Sequence, residues 1–260
     1  MKTLILPDGL EKIGDKAFWD CAQLAEIRLP STVTSIGKEA FYHCEALTTA
    51  TIGSGVTSIG EWAFYHCENM VEVYLPDSVK SIGDYAFYNC AGLTSVTIPD
   101  SVTSIGDYAF YGVPKVESIK IASTVTSIGD YAFDRSRVTG LTLPASLESI
   151  GYGAFYNRSL TLTFTGDAPT FSPGAFHGAT VTVHYPANNT TWTRDVLQKY
   201  GGTVTWIRDG ECSHNSAWCT LENKVDATCT TEGYSGDTVC GLCGEIAKAG
   251  SVTAALGHRE

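Results

Sequence analysis

The chain has 260 residues, 43% of them hydrophobic, which is enough for a sizeable core in one elongated or two compact domains. Its 17 basic and 28 acidic residues give a net charge of −11, which repels phosphate backbones and anionic lipids and so excludes nucleic-acid and membrane-surface binding. No apolar run approaches the roughly 18 residues that cross a bilayer, so membrane insertion of this segment is excluded as well.

A short motif, Ile-Gly-x-x-Ala-Phe, recurs along the chain at a fixed distance. Its first residue falls every 23 residues, at Ile13, Ile36, Ile59, Ile82, Ile105 and Ile128, and then after 22 and 21 residues, at Ile150 and Phe171. A fixed period of this length predicts a solenoid of roughly eight coils. Because Met1 to Thr3 lead directly into LILP, the sequence has no signal peptide and begins partway through a repeat, which predicts a longer precursor.

Each repeat contains two extended pieces. In the first, Val96 and Ile98 alternate with Ser95 and Thr97, which predicts a half-buried strand with the aliphatic side chains inward. Proline ends this piece in several copies, because proline cannot donate a hydrogen bond to a continuing ladder. The second piece, over residues 102–105, leads into a glycine that fits a positive φ or a close backbone approach.

A short helical turn is predicted after the glycine, for example over residues 107–111. The residue directly after the glycine is often acidic, as at Asp84, Asp107 and Asp130, where a carboxylate can cap the free N–H groups of that turn. A column of acids is also compatible with calcium, but capping explains the acids and Lys38 and Tyr152 occupy the same position.

Cysteine stands three residues after the phenylalanine of the first four complete repeats. These residues are Cys21, Cys44, Cys67 and Cys90, and Val113 takes the position in the next repeat. A thiol that exchanges with valine behaves as a small hydrophobe, so we predict a column of buried free cysteines. We call this position, three residues after each repeat phenylalanine, the cysteine rung.

The pattern L-x-x-V-x-I-P-x-S-V-T-S-I-G-x-x-A-F-x-x-C resembles the BspA-type leucine-rich repeat over residues 4–183. The resemblance implies an α/β solenoid, right-handed, with a parallel sheet on one side and short helical turns. It also implies a bacterial protein that is secreted or attached to the cell surface and often acts in adhesion. The family carries no catalytic motif that could be transferred to this chain.

Three domains are predicted. Residues 1–184 form the solenoid, and residues 185–209 form a cap that consists of a helix from about Thr191 to Tyr200 and then a strand. A cap is required because an open solenoid end exposes apolar edges. Trp192, Val196, Leu197 and Trp206 are expected to seal this end. Residues 210–260 form a small cysteine-rich module, either whole or truncated, similar to one repeated in tandem in Firmicutes surface proteins.

The cysteine-rich segment contains a C-x-x-C knuckle whose spacing suits a structural zinc ion. The predicted ligands are Cys240, Cys243, Cys229 and His258, with Cys212 and His214 as alternatives. Disulfides in an exported module and reduced thiols remain open as well, and the five cysteines of the segment cannot all pair. The cofactor is therefore one structural zinc or none.

Two surfaces are candidates for ligand binding, because packing fixes the core positions. On the outer face of the first strand of each repeat, the candidates are Glu26, Arg28, Thr51, Glu72, Tyr74, Thr97 and Lys120. On the turn side, a column of aromatic residues two positions after the glycine gives Trp62, Tyr85, Tyr108 and Tyr131. A second column follows each phenylalanine directly. Stacking between coils explains these aromatic residues as well as recognition does.

The predicted function is non-enzymatic, extracellular binding of a protein or glycan on a host or microbial surface. The alternative is an architectural stalk that displays another domain of a longer cell-surface protein. An enzyme is not supported, because the sequence has no G-x-S-x-G, no H-E-x-x-H and no phosphate-binding glycine loop. The sequence does not indicate the oligomeric state.

Overall fold

The computed structural model describes residues 2–210, 219–222, 233–240 and 246–253. The chain divides into two compact units, each described here by itself. The first comprises Met1–Tyr185 and Lys199–Ile207, and the second comprises Pro186–Gln198 and Arg208–Glu260.

Short strands make up both units, and no helix occurs within the described ranges. In chain order, the strands of the repeat region are β1 (Lys2–Ile5), β2 (Lys12–Ile13), β3 (Leu24–Arg28), β4 (Ser35–Ile36), β5 (Thr49–Thr51), β6 (Ser58–Ile59), β7 (Glu72–Tyr74), β8 (Ser81–Ile82), β9 (Val96–Thr97), β10 (Ser104–Ile105), β11 (Ile119–Lys120), β12 (Ser127–Ile128), β13 (Gly140–Leu143), β14 (Ser149–Ile150), β15 (Ser159–Phe164), β16 (Thr170–Phe171), β17 (Thr180–Pro186) and β18 (Thr203–Asp209). After these come β19 (Cys219–Glu222), β20 (Gly233–Tyr234), β21 (Asp237–Cys240), β22 (Ile246–Lys248) and β23 (Val252–Thr253).

Six Ser-Ile pairs, together with Lys12–Ile13 at one end and Thr170–Phe171 at the other, form one continuous parallel sheet of eight strands, from β2 to β16 in even-numbered order. Neighbouring strands pair in register, so that Ile105 faces Ile82 on one side and Ile128 on the other. The isoleucines are buried and the serines are half-buried. The second extended piece of each repeat is therefore a strand, and parallel strands line two sides of the solenoid rather than the one side predicted.

The first extended pieces form a parallel sheet that is divided into three parts. These parts are β1-β3-β5-β7, β9-β11 and β13-β15-β17-β18. Val96 and Ile98 are buried while Ser95 and Thr97 are exposed, as the alternation predicts. The divisions fall on both sides of the shortest strands, β9 and β11, which have two residues each.

The turns after the glycines are not helical, so this part of the prediction was wrong. Tyr85 has a φ of 57° and Asn89 a φ of 53°, and left-handed residues at the equivalent positions recur along the solenoid. Along each turn, the backbone amides donate alternately to a carbonyl of the same turn and to a carbonyl of the next coil. The Ala86 amide donates within its own turn to Gly83 at 3.3 Å, whereas the Phe87 amide donates to Ala109 of the next coil at 2.9 Å. Hydrogen bonding between coils replaces the helical i to i−4 pattern.

The core contains a column of stacked phenylalanine rings that runs from Phe18 to Phe176. Ring centroids of neighbouring coils lie 5.0–5.3 Å apart up to Phe110 and 5.9–6.3 Å apart beyond it. The alanine before each phenylalanine is fully buried from Ala40 to Ala175. Because the rings and methyl groups stack directly, each coil completes the core of its neighbours.

From Gly37 to Gly151, the glycine at the start of each turn is required by close approach and not by a positive φ, whereas Gly14 of the first turn has no such neighbour. At Gly106, an added Cβ would lie 2.6 Å from the Asp84 amide nitrogen and 2.7 Å from the Gly83 carbonyl carbon of the preceding coil. The side chain of Asp84 accepts a hydrogen bond from the Asp107 amide at 2.8 Å, and Asp107 accepts from Asp130 at 2.7 Å. The acids therefore cap the equivalent amide of the next coil, and not the amides of their own turn as predicted.

The predicted cap helix over residues 191–200 is absent, and turns take its place. The Leu197 amide donates to Thr193 at 3.1 Å, which closes a single helical turn that does not continue. Trp192 is fully buried, whereas Val196 and Leu197 are half-buried. The strand of the cap is present as β18. Its Trp206 contacts the rings of Phe171, Phe176 and Tyr185 at centroid distances of 6.0–6.4 Å.

The second unit contains two small antiparallel sheets in its described part. One consists of β19, β21 and β22, and the other of β20 and β23. The described residues include no helix long and apolar enough to cross a membrane.

Candidate binding surfaces

The predicted sheet-face residues all lie on the outer face of the first strands. Arg28, Thr51 and Tyr74 stand side by side on β3, β5 and β7, and Thr97 and Lys120 stand side by side on β9 and β11. Glu26 of β3 and Glu72 of β7 lie on either side of Thr49 of β5, which is the cross-strand partner of both. The structure therefore separates the predicted residues into two groups on different parts of the divided sheet.

The charged side chains of the sheet face form few contacts with groups of opposite charge. Glu72 accepts a hydrogen bond from the Tyr74 hydroxyl, which raises the pKa of Tyr74, and the charge of Glu72 raises it further. Within the described ranges, Arg28 and Lys120 take part in no ion pair. Lys120 lines a concavity of about 790 Å³ together with Asp100 and threonines of β13 and β15.

The aromatic residues that follow each phenylalanine form a continuous stack along one side of the first unit. Neighbouring rings are nearly parallel, with centroids 4.0–4.8 Å apart. All but the first ring are half-buried, and Trp19 at the N-terminal end is 42% exposed. The members of this stack are Trp19, Tyr42, Tyr65, Tyr88 and Tyr111.

The predicted ladder of Trp62, Tyr85, Tyr108 and Tyr131 forms a second column beside the first. Its three tyrosines stack at 4.7 and 4.9 Å, whereas Trp62 meets Tyr85 edge to face at 5.7 Å. Tyr88 of the first column lies 5.6 Å from Tyr85, so the two columns form one surface. We call these nine residues of the two columns the aromatic stripe.

Partial burial and crowding raise the pKa values of five tyrosines of the stripe. Desolvation raises the pKa of Tyr108 to about 12, and the neighbouring tyrosines Tyr85 and Tyr131 add to the shift. Desolvation is also the main cause of the raised pKa values of Tyr65, Tyr85, Tyr111 and Tyr131. Each of these side chains therefore presents a neutral O–H group, which can donate and accept a hydrogen bond, at any physiological pH.

Three cations lie on the ring faces of the stripe, and the sequence analysis missed them as surface elements. Lys16 lies over Trp19 at 4.8 Å, Lys38 over Trp62 at 4.5 Å and the Arg135 guanidinium over Tyr111 at 5.3 Å. Lys38 also pairs with Glu61 at 2.7 Å, and Lys16 with Glu39 at 3.4 Å. Lys38 and Arg135 lie one coil away from the rings they cover, so a single repeat does not show these two contacts, whereas Lys16 lies in the same turn as Trp19.

The buried cysteines offer no reactive thiol in the repeat region. Cys44, Cys67 and Cys90 are fully buried free thiols, and each donates a hydrogen bond to a phenylalanine carbonyl of the preceding coil at 3.1–3.2 Å. Burial raises the pKa of Cys44 to about 12 and those of Cys67 and Cys90 as well. The prediction of a buried column is confirmed for these three, while Cys21 is half-buried at the N-terminal end.

The predicted zinc site falls mainly outside the described residues. Only Cys240 lies within them, in β21, where it is the cross-strand partner of Cys219. Cys212, His214, Cys229, Cys243 and His258 lie outside the described residues. Among the residues that the structure does describe, no group of three or more histidine, cysteine, aspartate or glutamate side chains could hold a metal ion.

The stacked coils, their parallel sheets and the fixed repeat define a leucine-rich repeat protein. More narrowly, the chain belongs to the BspA type leucine-rich repeat region family, which matches residues 1–114 and 63–183 in six copies. The curated proteins include no match.

Two solved structures illustrate the likeness. A leucine-rich repeat protein of T. pallidum is 27% identical, with a TM-score of 0.55 over 59% of this chain and 75% of that one. A leucine-rich cell surface protein of Faecalibacterium prausnitzii is 26% identical, with a TM-score of 0.57 over 79% of this chain. The chain spans 64% of the length of this second protein.

Proposed function

We propose that the repeat region is a non-enzymatic binding module on a bacterial cell surface and that it recognises a protein through the aromatic stripe. The observation that carries the proposal is the continuity of the half-buried rings over consecutive coils. Tyrosine contributes a large contact area at a small cost in side-chain entropy, and its hydroxyl adds hydrogen bonds at the rim of a contact.

The stacking geometry favours a protein over a glycan as the partner. A sugar ring binds an aromatic residue by lying on its face, but the faces of Tyr42, Tyr65 and Tyr88 are covered by their neighbours at 4.7–4.8 Å. The stripe therefore presents ring edges and hydroxyl groups, which suit the backbone and side chains of a protein. Trp19, at the end of the stack, is covered by Tyr42 at 4.0 Å and by the Lys16 ammonium at 4.8 Å.

The surface location rests on the likeness to the Faecalibacterium prausnitzii cell surface protein. The sheet face remains a second candidate for the binding surface, because Arg28, Tyr74 and Lys120 project from it. An architectural stalk is the alternative function, favoured by the uniform outer positions Thr142 and Thr161 of β13 and β15.

The test measures binding of the full chain to immobilised fibronectin, collagen, mucin and whole bacterial cells by biolayer interferometry. The key variant combines Tyr85→Phe, Tyr88→Phe and Tyr108→Phe, which keeps the stacked rings and removes three hydroxyl groups. Tyr74→Phe removes a hydroxyl from the sheet face and serves as the matched control. Binding to a protein surface should weaken at least about tenfold in the triple variant and stay unchanged in the control.

Each alternative has its own result in this assay. Loss of binding with Tyr74→Phe or Arg28→Ala, but not with the triple variant, would move the site to the sheet face. Binding that survives protease treatment of the immobilised surface and disappears after deglycosylation would identify a glycan and overturn the choice of partner. No binding to any surface at all would favour the stalk.

A further inference from the structure

The cysteine rung contains one large charged residue near the C-terminal end of the solenoid, although its other residues are small. In chain order its residues are Cys21, Cys44, Cys67, Cys90, Val113, Ser136, Arg158 and Ala179. Seven of the eight are small, and those from Cys44 to Ser136 and Ala179 are buried. Arg158 places a long cationic side chain at a position where six of the other seven repeats bury a small one, so the core packing does not explain this residue.

The connection that follows this rung is also shorter than in earlier repeats. Val96, an inward residue of β9, lies nine positions after Phe87. Leu162, an inward residue of β15, lies only seven positions after Phe155. An open cavity of about 450 Å³ lies beside these connections. It is lined by Glu117, Arg137, Val138, Thr139, Asn157, Arg158 and Ser159.

The two arginines of this cavity lack acceptors within the described part of the chain. Among the described residues, neither Arg137 nor Arg158 forms an ion pair or donates a side-chain hydrogen bond. The Nε atom of Arg158 is buried without any partner. Burial lowers the pKa of Arg158, and the charge of Asp134 offsets this only in part. A guanidinium has five donors, and leaving them unsatisfied in a partly buried position is unfavourable.

The residues that line the cavity indicate which acceptor would satisfy the two guanidinium groups. We propose that the cavity beside the cysteine rung is a carboxylate-binding site, in which Arg137 and Arg158 hold an acidic side chain or chain terminus of a protein partner. The planar guanidinium fork matches a carboxylate, which accepts two parallel hydrogen bonds. Thr139, Asn157 and Ser159 add polar groups to the lining. The assignment rests on the proposed function only in taking a protein as the source of the carboxylate.

Two acidic side chains lie in the region of the site. Asp134 is buried and interacts electrostatically with both Arg135 and Arg158, but within the described ranges it forms no ion pair with either. Glu117 lines the cavity and repels an incoming anion. Because the whole chain carries a net charge of −11, a cavity with two arginines is a local exception that an anion can recognise.

The experiment follows the arginine Nε–Hε resonances of the full chain by NMR while sodium acetate or the blocked peptide acetyl-Glu-Glu-amide is added. Sodium sulfate and sodium chloride, at matched ionic strength, are the other two arms. The variants are Arg158→Ala, which copies Ala179 of the next coil, and Arg137→Ala. Arg28→Ala removes an equal charge from the sheet face and is the matched control.

Acetate and the peptide should shift the Arg137 and Arg158 signals in a saturable manner. The dissociation constant should rise at least about tenfold in Arg158→Ala and Arg137→Ala and stay unchanged in Arg28→Ala. Glu117→Gln should act in the opposite direction and tighten binding several-fold, because it removes the repelling charge. This variant and Arg137→Ala keep the test decisive even if Arg158→Ala fails to fold.

Shifts that grow linearly and equally with acetate and chloride would overturn the site. Saturable binding of sulfate alone would overturn the carboxylate assignment. Binding that is lost in Arg28→Ala would place the anion on the sheet face. None of these outcomes depends on the aromatic stripe, so failure of this proposal and failure of the proposed protein-binding surface are distinguishable.

Discussion

Replacement of Gly106 by alanine tests the close stacking of the coils. The added Cβ would lie 2.6 and 2.7 Å from backbone atoms of Asp84 and Gly83, and ordinary contact begins at about 3.4 Å. The coils must therefore separate locally by roughly 0.7 Å. The hydrogen bonds from the Gly106 amide to Ile82 at 2.9 Å and from Asp107 to Asp84 at 2.8 Å would then exceed hydrogen-bonding distance.

The expected cost follows from these contacts. Overpacking destabilises the folded state by about 1–3 kcal/mol, and each lost hydrogen bond destabilises it by about 0.5–1.5 kcal/mol. Alanine also lowers the entropy of the unfolded chain, which stabilises the folded state by about 0.4–1 kcal/mol. We expect Gly106→Ala to lower the free energy of unfolding by about 3 kcal/mol, which corresponds to a decrease in Tm of roughly 6–12 °C.

Gly140 provides the matched control for this substitution. An added Cβ at Gly140 meets only the Thr161 carbonyl oxygen, at 3.6 Å, which is an ordinary contact. Gly140→Ala should therefore stabilise the protein slightly, by about 0.5 kcal/mol. Urea unfolding followed by far-UV circular dichroism measures both variants. Close stacking at Gly106 is refuted if the free energy of unfolding of Gly106→Ala lies within about 0.5 kcal/mol of that of the unsubstituted chain. It is also refuted if Gly106→Ala and Gly140→Ala lower the free energy of unfolding equally.

Three further predictions concern thiols, tyrosines and metal. Cys21→Ser should reduce the native-state reaction with a thiol reagent by one group, whereas Cys67→Ser should change it only after unfolding, because burial holds that thiol protonated. In a titration followed at ~295 nm, Tyr108→Phe should remove a group that ionises near pH 12. Since the folded-state pKa exceeds the ordinary value of 10.0, the contribution of Tyr108 to stability is complete below pH 10 and is lost as the pH rises toward 12. Metal analysis and a free-thiol count of protein purified without chelator or reductant separate the three alternatives for the cysteine-rich segment: about one zinc per chain that is lost with Cys240→Ser supports the zinc site, no metal with a deficit of free thiols indicates disulfides, and no metal with nine free thiols indicates reduced cysteines.

The core could be predicted from the sequence because its signal repeats. Each inward position, such as Val96, Ile105 or Phe110, recurs with the same residue type, so even one chain contains several copies of the information. The buried Cys67 followed from the same comparison, since valine replaces it in a later repeat. These features depend on burial alone, which residue type reports well.

The turn conformation could not be predicted in the same way. Tyr85 and Tyr108 adopt left-handed φ values of 57° and 55°, although tyrosine gives no local signal for that region. The partner of Asp84 was also misjudged, because it lies 23 residues away on the next coil. In both cases the decisive hydrogen bond joins two coils, and a single repeat contains only half of it.

The candidate sites differ in how visible they are in the sequence, and the difference has a physical origin. A repeat fixes the inward positions by packing, so a functional residue is recognised either as an outward residue or as an inward position that breaks the pattern. Tyr74 and Lys120 are outward residues, and strand propensity explains many residues of that kind equally well. Arg158 breaks the pattern at a rung where packing demands a small side chain, and its donors find no acceptor in the described protein. Such a residue must be stabilised by something other than the core. For this reason the carboxylate site at Arg158 is a sharper inference than any position on the sheet face.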